Sequence, residues 1–235
     1  MRNALLKDAR LKAVFELMGE QETVADIGCD HGYLSASLII EGRVKMAIAS
    51  DISPVSAQKA AKLAKKLGIE QSMRAVCADG LDPLRGAEPP FAIAICGMGG
   101  ELIARILERG RESALLARRI VMQPMRGEAE HREYLVKNGY GIEAERVVRE
   151  RGRYYQVISA VPNGENIIPE GFPKDWYRFG WVMAESREPQ LLPLLKHYRA
   201  VYERELEKAK SKGRSPEAIL RELENTESLI RFIGG

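Results

Sequence analysis

Short apolar runs rich in β-branched residues recur between Thr23 and Val161, and most are followed by a stretch whose apolar residues return at helical spacing. The runs Thr23–Ile27, Met46–Ser50, Met73–Cys77, Phe91–Cys96 and Arg119–Met122 predict strands. Tyr33–Glu41, Pro54–Leu67, Glu101–Glu108 and Glu128–Asn138 predict helices. Such alternation is the pattern of an α/β protein whose parallel sheet is flanked by helices. Pro54 suits a first helical turn, where its missing N–H would have had no intrahelical partner. After Gly139 the period changes: Gly141–Val148 and Tyr154–Val161 predict two strands joined by the charged turn Arg149–Arg153, an antiparallel hairpin closing a mostly parallel sheet.

Pro162, Asn163, Gly164, Pro169, Gly171 and Pro173 then break the pattern. They divide the chain into an α/β domain over residues 1–161 and a linker with helices over 162–235. In the second part Leu191, Leu195, Tyr198, Tyr202, Leu206 and Ala209 recur at helical spacing, as do Ile219, Leu223, Leu229 or Ile230, and Ile233. Between them, Gly213 offers a stop, Ser215 a helix cap and Pro216 a first helical position. An antiparallel, coiled-coil-like pair of helices is expected.

Hydrophobic residues make up 45% and charged residues 29% of the 235, an ordinary globular balance. No run approaches the roughly 18 apolar residues of a bilayer span. Met1–Arg10 carries Arg2, Lys7, Asp8 and Arg10 and lacks the apolar core of a signal peptide, so a cytoplasmic location is expected. Cys29, Cys77 and Cys96 stand apart at the ends of apolar runs and read as buried reduced thiols. His31, His131 and His197 form no metal-ligand spacing, and no metal is expected. The net charge is +3, and its whole excess lies in residues 1–160, with 24 Lys/Arg against 21 Asp/Glu; residues 161–235 balance 12 against 12. Arg105, Arg109, Arg111, Arg118 and Arg119 form one basic stretch and Arg146, Arg149, Arg151 and Arg153 another, each suited equally to solvated surface and to phosphate contact.

In an open parallel sheet, ligands bind beyond the carboxyl ends of the strands, so the following loops carry the chemistry. The first reads Asp26-Ile27-Gly28-Cys29-Asp30-His31-Gly32-Tyr33-Leu34. Its glycines permit a tight turn, but their spacing is not that of a dinucleotide loop, and two carboxylates would oppose a pyrophosphate. They suit a ligand carrying an amine and a sulfonium, which favours S-adenosylmethionine; the alternative is a plain turn with Asp30 as helix cap. Asp51, 25 residues beyond Asp26, stands where a carboxylate accepts ribose hydroxyls, and Asp79 where one could accept an adenine amine. Either alone reads as a turn residue; three acidic loops at successive strand ends do not. Gly97-Met98-Gly99-Gly100 points to close approach of backbone to a ligand or substrate, with tight helix packing as the alternative. Gln123 offers a donor and an acceptor to a base edge, or is an ordinary surface residue.

Asp26–Leu34, Asp79–Leu81, Gly97–Ile103, Gln123–Pro124 and Arg10-Leu11 together resemble the bacterial tRNA adenine-22 N1-methyltransferase family, over about residues 5–160. The resemblance implies a class I, Rossmann-like methyltransferase fold with S-adenosylmethionine as cofactor and tRNA as partner, the helical pair helping to hold the RNA. It places the cofactor against Asp26, Gly28, Cys29, Asp30, His31, Gly32, Asp51, Ile52, Ala78, Asp79, Gly80 and Gly97. It places the substrate base against Arg10, Tyr33, Met98, Gly99, Gly100, Gln123 and Pro124. Family members tend to carry Glu at Asp51, Ala at Gly32, Pro at Ser35 and Asn at Met125. Adenine N1 has a lone pair and no proton, so in-line methyl transfer requires no general base, and no single catalytic side chain is singled out. A monomer or weak dimer is expected.

Overall fold

The computed structural model, which describes residues 5–168, 170, 172 and 176–234, carries this alternation as one seven-stranded sheet. The chain runs through α1 (Ala9–Met18), β1 (Gln21–Ile27), α2 (Tyr33–Ile40), β2 (Val44–Asp51), α3 (Pro54–Leu67) and β3 (Met73–Cys77). It returns through β4 (Phe91–Met98), α4 (Gly100–Arg109), α5 (Arg111–Leu116), β5 (Arg119–Pro124) and α6 (Glu128–Lys137), then forms the hairpin β6 (Tyr140–Glu150) and β7 (Arg153–Pro162). The order across the sheet is β3-β2-β1-β4-β5-β7-β6. β1 to β5 are mutually parallel, and β7 runs antiparallel to both β5 and β6.

The pleat sorts the core into two faces. Ile93 and Ile95 of β4 pack with Ile103 and Leu107 of α4, Ala114 of α5 and Leu135 of α6. Ala92 and Ala94, one residue out of step, pack with Val14 and Phe15 of α1 and Leu34 and Leu38 of α2. Local signals set the boundaries as well. α3 opens at Ser53, whose hydroxyl accepts the Ser56 N–H at 3.4 Å, with Pro54 at its first position, and closes at Gly68 with φ 67°.

Beyond the hairpin come a 3₁₀ turn (Trp176–Arg178), α7 (Trp181–Glu185), α8 (Leu191–Ser211) and α9 (Glu217–Gly234). α8 and α9 are the expected helical pair, with α9 opening one residue after Pro216, whose carbonyl accepts the Leu220 N–H. Phe172, Trp176, Phe179, Trp181, Leu194, Leu195 and Leu229 belong to the same apolar cluster as Ile142 and Ile158 of the sheet, so one core spans the boundary at residue 162. Each such side chain contributes about 1.5–3 kcal/mol on burial, and a domain's net stability is only about 5–15 kcal/mol. A chain ending at Val161 is therefore expected to lose its cooperative unfolding transition. A sharp calorimetric melt of that fragment would show instead that the sheet part stands alone.

α1, α5, α7 and the 3₁₀ turn went unread in the sequence. β5 runs on through Gln123 and Pro124, past its predicted end at Met122. Of the three cysteines expected to be buried, Cys77 is exposed and Cys29 and Cys96 are half-buried; all three are free thiols. Among the described residues no helix is long and apolar enough to cross a membrane.

Candidate active site

The chain leaves β1 towards β2 and β3, then crosses back to β4 on the other side, so the order reverses between β1 and β4. A crevice opens at such a reversal, beyond the carboxyl ends of the strands. The loop after β1 turns into it at Gly28, φ 72°, where the N–H groups of Gly28 and Cys29 both donate to the Ser50 carbonyl at 2.8 and 3.0 Å. A Cβ on Gly28 would meet Met98 Cε. Asp51 fastens this loop to the next one. Its Oδ2 accepts the Asp30 N–H at 3.0 Å and its Oδ1 the Ser53 N–H at 2.9 Å. α2 begins after Gly32, φ 72°, without a side-chain cap, so Asp30 does not act as one.

Two cavities adjoin here, sharing Gly28, Cys96 and Gly97. The first, about 330 Å³, lies between Ile27, Asp51, Ile52, Met98 and Ile106, with Ala78, Asp79 and Gly80 along one edge. The second, about 460 Å³, is lined by Arg10, Asp26, Cys29, Asp30, His31, Tyr33 and Gln123.

Asp26 is 4% exposed and accepts the Ser35 hydroxyl at 2.8 Å. Burial pushes its carboxyl up to about 6, against the lowering effect of its Ser35 hydrogen bonds, and none of the ion pairs among the described residues includes it. It is a buried anion with room for a cation. Burial, with Asp26 nearby, also pushes the Cys29 and Cys96 thiols up, which disfavours the thiolate form of both. Asp30 holds His31 Nδ1 at 2.6 Å and Lys59 at 3.8 Å, and the His31 ring stacks on Tyr33 at 5.4 Å. Asp79 is paired with Arg109 at 2.9 Å. Gln123 is 1% exposed, not a surface residue; its Nε2 donates to the Pro124 carbonyl at 2.7 Å, which turns its Oε1 away from that carbonyl.

Four sequence candidates do not line either cavity. Gly32 packs α2 against α3, since a Cβ there would lie 3.0 Å from Ala60 Cβ and 2.5 Å from Met73 Cε. Gly100 seats α4 on α6: a Cβ would meet the Gly127 carbonyl oxygen and lie 2.9 Å from His131 Cβ. Gly99 is extended and has room for a side chain, its nearest neighbour being Arg126 at 3.6 Å. Pro124 contributes only its carbonyl to Gln123. The glycine run thus divides, and Gly97 alone, φ 76° at a register shift between β4 and β5, borders both cavities. Cys96, Arg105, Ile106 and Arg109 were missed. Arg105 and Arg109, four apart on the helix after the glycine loop, were the available signal.

A family model described as "Methyltransferase domain" matches residues 7–158. The tRNA (adenine(22)-N(1))-methyltransferase of Bacillus subtilis is 32% identical over 169 residues, 72% of this chain and 71% of that protein. The chain belongs to the tRNA (adenine(22)-N(1))-methyltransferase family. Two solved structures cover nearly all of both chains. The B. subtilis m1A22 tRNA methyltransferase TrmK aligns at TM-score 0.77 with 25% identity and 98% coverage of each chain. M. capricolum TrmK with S-adenosyl-homocysteine aligns at 0.78 with 21% identity and 97% of each.

Within this family the chain's departures have structural consequences. Ser35 supplies both its hydroxyl and its backbone N–H to Asp26, and a proline there could supply neither. Met125, in place of a polar side chain, puts its sulfur 3.1 Å from Arg10 Nη1.

Proposed function

We propose that this protein transfers a methyl group from S-adenosylmethionine to N1 of an adenine in tRNA. The observation that carries the reading is the pair of adjoining cavities meeting at Gly28 and Gly97, one edged by Asp51 and Asp79 and the other holding the buried Asp26. Asp26 and Asp51 suit an adenosine carrying an ammonium and a sulfonium, while Asp79 is already balanced by Arg109. The bound cofactor supplies an electrophilic methyl group on sulfur.

The protein's own residues bind and orient. Ile27, Ile52 and Ile106 give the first cavity apolar walls for adenine, and Asp51 retains lone pairs for the ribose hydroxyls. Asp26 faces the ammonium. In the second cavity Gln123 offers Oε1, an acceptor suited to the exocyclic amine of adenine, beside the ring of Tyr33. The target nitrogen needs no deprotonation, which agrees with a site that disfavours the thiolate form of its cysteines. N1 is hidden in a base-paired helix, so the base must enter unpaired or flipped. Incubating the protein with labelled S-adenosylmethionine and unmodified tRNA, then mapping the label, tests the reading: methyl at adenine N1 is expected, and none in any RNA overturns it.

The Asp26 carboxyl gives a pH signature. Below about pH 6 it takes up a proton that the ammonium must displace, so cofactor affinity is expected to fall towards tenfold per pH unit below that value and to be flat above it. Stability without ligand runs the other way. With its folded value above the ordinary 3.8, this group's stabilising contribution is complete below 3.8 and is lost as pH rises through 6. Calorimetric titration with S-adenosylhomocysteine from pH 5 to 8 checks the first trend, and an unchanged profile in Asp26→Asn would assign it elsewhere.

A further inference from the structure

We propose that the turn between β6 and β7 is the edge that grips RNA phosphates beside the target cavity, an inference that rests on the tRNA reading above. Topology puts it there. β7 is antiparallel to β5, with Met122 opposite Ile158, so continuing the register sets Gln156 level with Pro124. The hairpin extends three residues further, about 10 Å at ~3.3 Å per residue, beyond the carboxyl edge where the cavities open. Arg10 then ties it to the second cavity: it lines that cavity, its Nε lies 3.5 Å from Glu150, and its guanidinium sits 4.9 Å over the Tyr155 ring.

Charge at the turn is free to act, and the turn stands beside the cavities. Arg149, Arg151 and Arg153 are exposed, and none takes part in an ion pair among the described residues; Arg149 lies over the Tyr154 ring at 5.6 Å. The other basic stretch is largely committed, through Arg105 to Glu101, Arg109 to Asp79, Arg111 to Glu108 and Arg119 to Glu143. On the helical pair, Arg199, Lys210 and Arg231 each face a glutamate three or four residues away on the same helix, while Lys196, Lys208, Lys212 and Arg214 are exposed outside any ion pair among the described residues and are the competing phosphate contacts.

Backbone geometry adds a third observation. Glu150 pairs with Arg153 across a two-residue turn in which Arg151 has φ 49° and Gly152 φ 79°. Two positive φ angles in such a hairpin favour Asn-Gly, and an exposed arginine at the first position gains no packing in return. A disfavoured residue held at an exposed tip points to function, and guanidinium is the side chain that matches phosphate oxygens bidentately.

The test is tRNA binding by the full chain across a salt series, comparing wild type with Arg149→Gln/Arg151→Gln/Arg153→Gln and with Lys208→Gln/Lys210→Gln/Lys212→Gln on α8. The turn variant is expected to bind tRNA at least tenfold more weakly at low salt. Its slope of log affinity against log salt should be shallower by about 2–3, as three lost phosphate contacts require. Its affinity for S-adenosylhomocysteine should be unchanged. An unaltered slope in the turn variant, or a loss confined to the α8 variant, overturns the proposal. Absence of tRNA binding by the wild type would overturn the functional reading itself.

Discussion

Arg132→Ala is expected to lower folding stability by about 3–5 kcal/mol, the cost of leaving one partner of a buried ion pair behind. Arg132 and Glu145 have no exposed side-chain surface, and Nε meets Oε1 at 2.7 Å. The rest of the guanidinium is also in use, with Nη1 donating to the carbonyls of Tyr177 and Arg178 and Nη2 to Gln156 Oε1 at 2.6 Å. This one side chain on α6 therefore joins β6, β7 and the 3₁₀ turn. Alanine would leave the carboxylate, the Gln156 amide oxygen and the Tyr177 carbonyl without the guanidinium, while the Arg178 carbonyl would keep only the Gln156 Nε2 donor at 3.2 Å. Burial already pushes the Glu145 carboxyl up, and Arg132 holds it down; without the arginine it rises further. The variant is thus expected to regain part of its stability as pH falls and Glu145 binds a proton. Arg132→Met/Glu145→Met, which removes both charges, should recover much of the loss. Urea unfolding at pH 7 and pH 5.5 measures all three effects, and a loss below 1 kcal/mol in Arg132→Ala would show that the network does not hold the C-terminal part in place.

The same pair shows where sequence reading ends. Arg132 lies in a helix and Glu145 in a strand with charged neighbours, and only a segment some 45 residues further along covers them. Charge alone gives no sign of that burial. The sheet was legible because parallel strands are continuous apolar runs whose ends are fixed by the Gly, Asp and Pro that follow. The acidic loops were legible for the same reason: Asp26, Asp51 and Asp79 sit at fixed offsets from those runs. Partnerships across the fold were not. Arg109 reaches Asp79 because α4 returns over the β3 end, and Gln123 is buried because β5 continues two residues beyond its β-branched stretch. α1 has no side-chain cap, and the segment around Trp176–Glu185 lies behind a Pro/Gly-rich stretch that hides its helical period.

Asp51→Ala is expected to weaken cofactor binding by about 10- to 150-fold, the equivalent of losing about 1.5–3 kcal/mol from hydrogen bonds to a charged group. Two contributions are combined in that figure. One is direct, the carboxylate facing the first cavity where ribose hydroxyls would donate to it. The other is indirect, because the same two oxygens hold the N–H groups of Asp30 and Ser53, and without them the far side of the loop, at Asp30, is untied and only the Gly28 and Cys29 bonds to the Ser50 carbonyl hold it to β2. Asp51→Asn does not rescue either: its amide nitrogen would face one of those N–H groups and leave it unpaired. Calorimetry with S-adenosylhomocysteine reads the total, with a ligand-free thermal melt confirming the fold. Unchanged affinity in a folded Asp51→Ala would remove the assignment. The two contributions separate when the 2′-deoxy analogue is titrated as well. If Asp51 binds ribose, the wild type prefers the natural ligand and the alanine variant loses that preference along with the affinity. If both ligands weaken equally and the preference survives, Asp51 acts only by holding the loop, and another group must read the sugar.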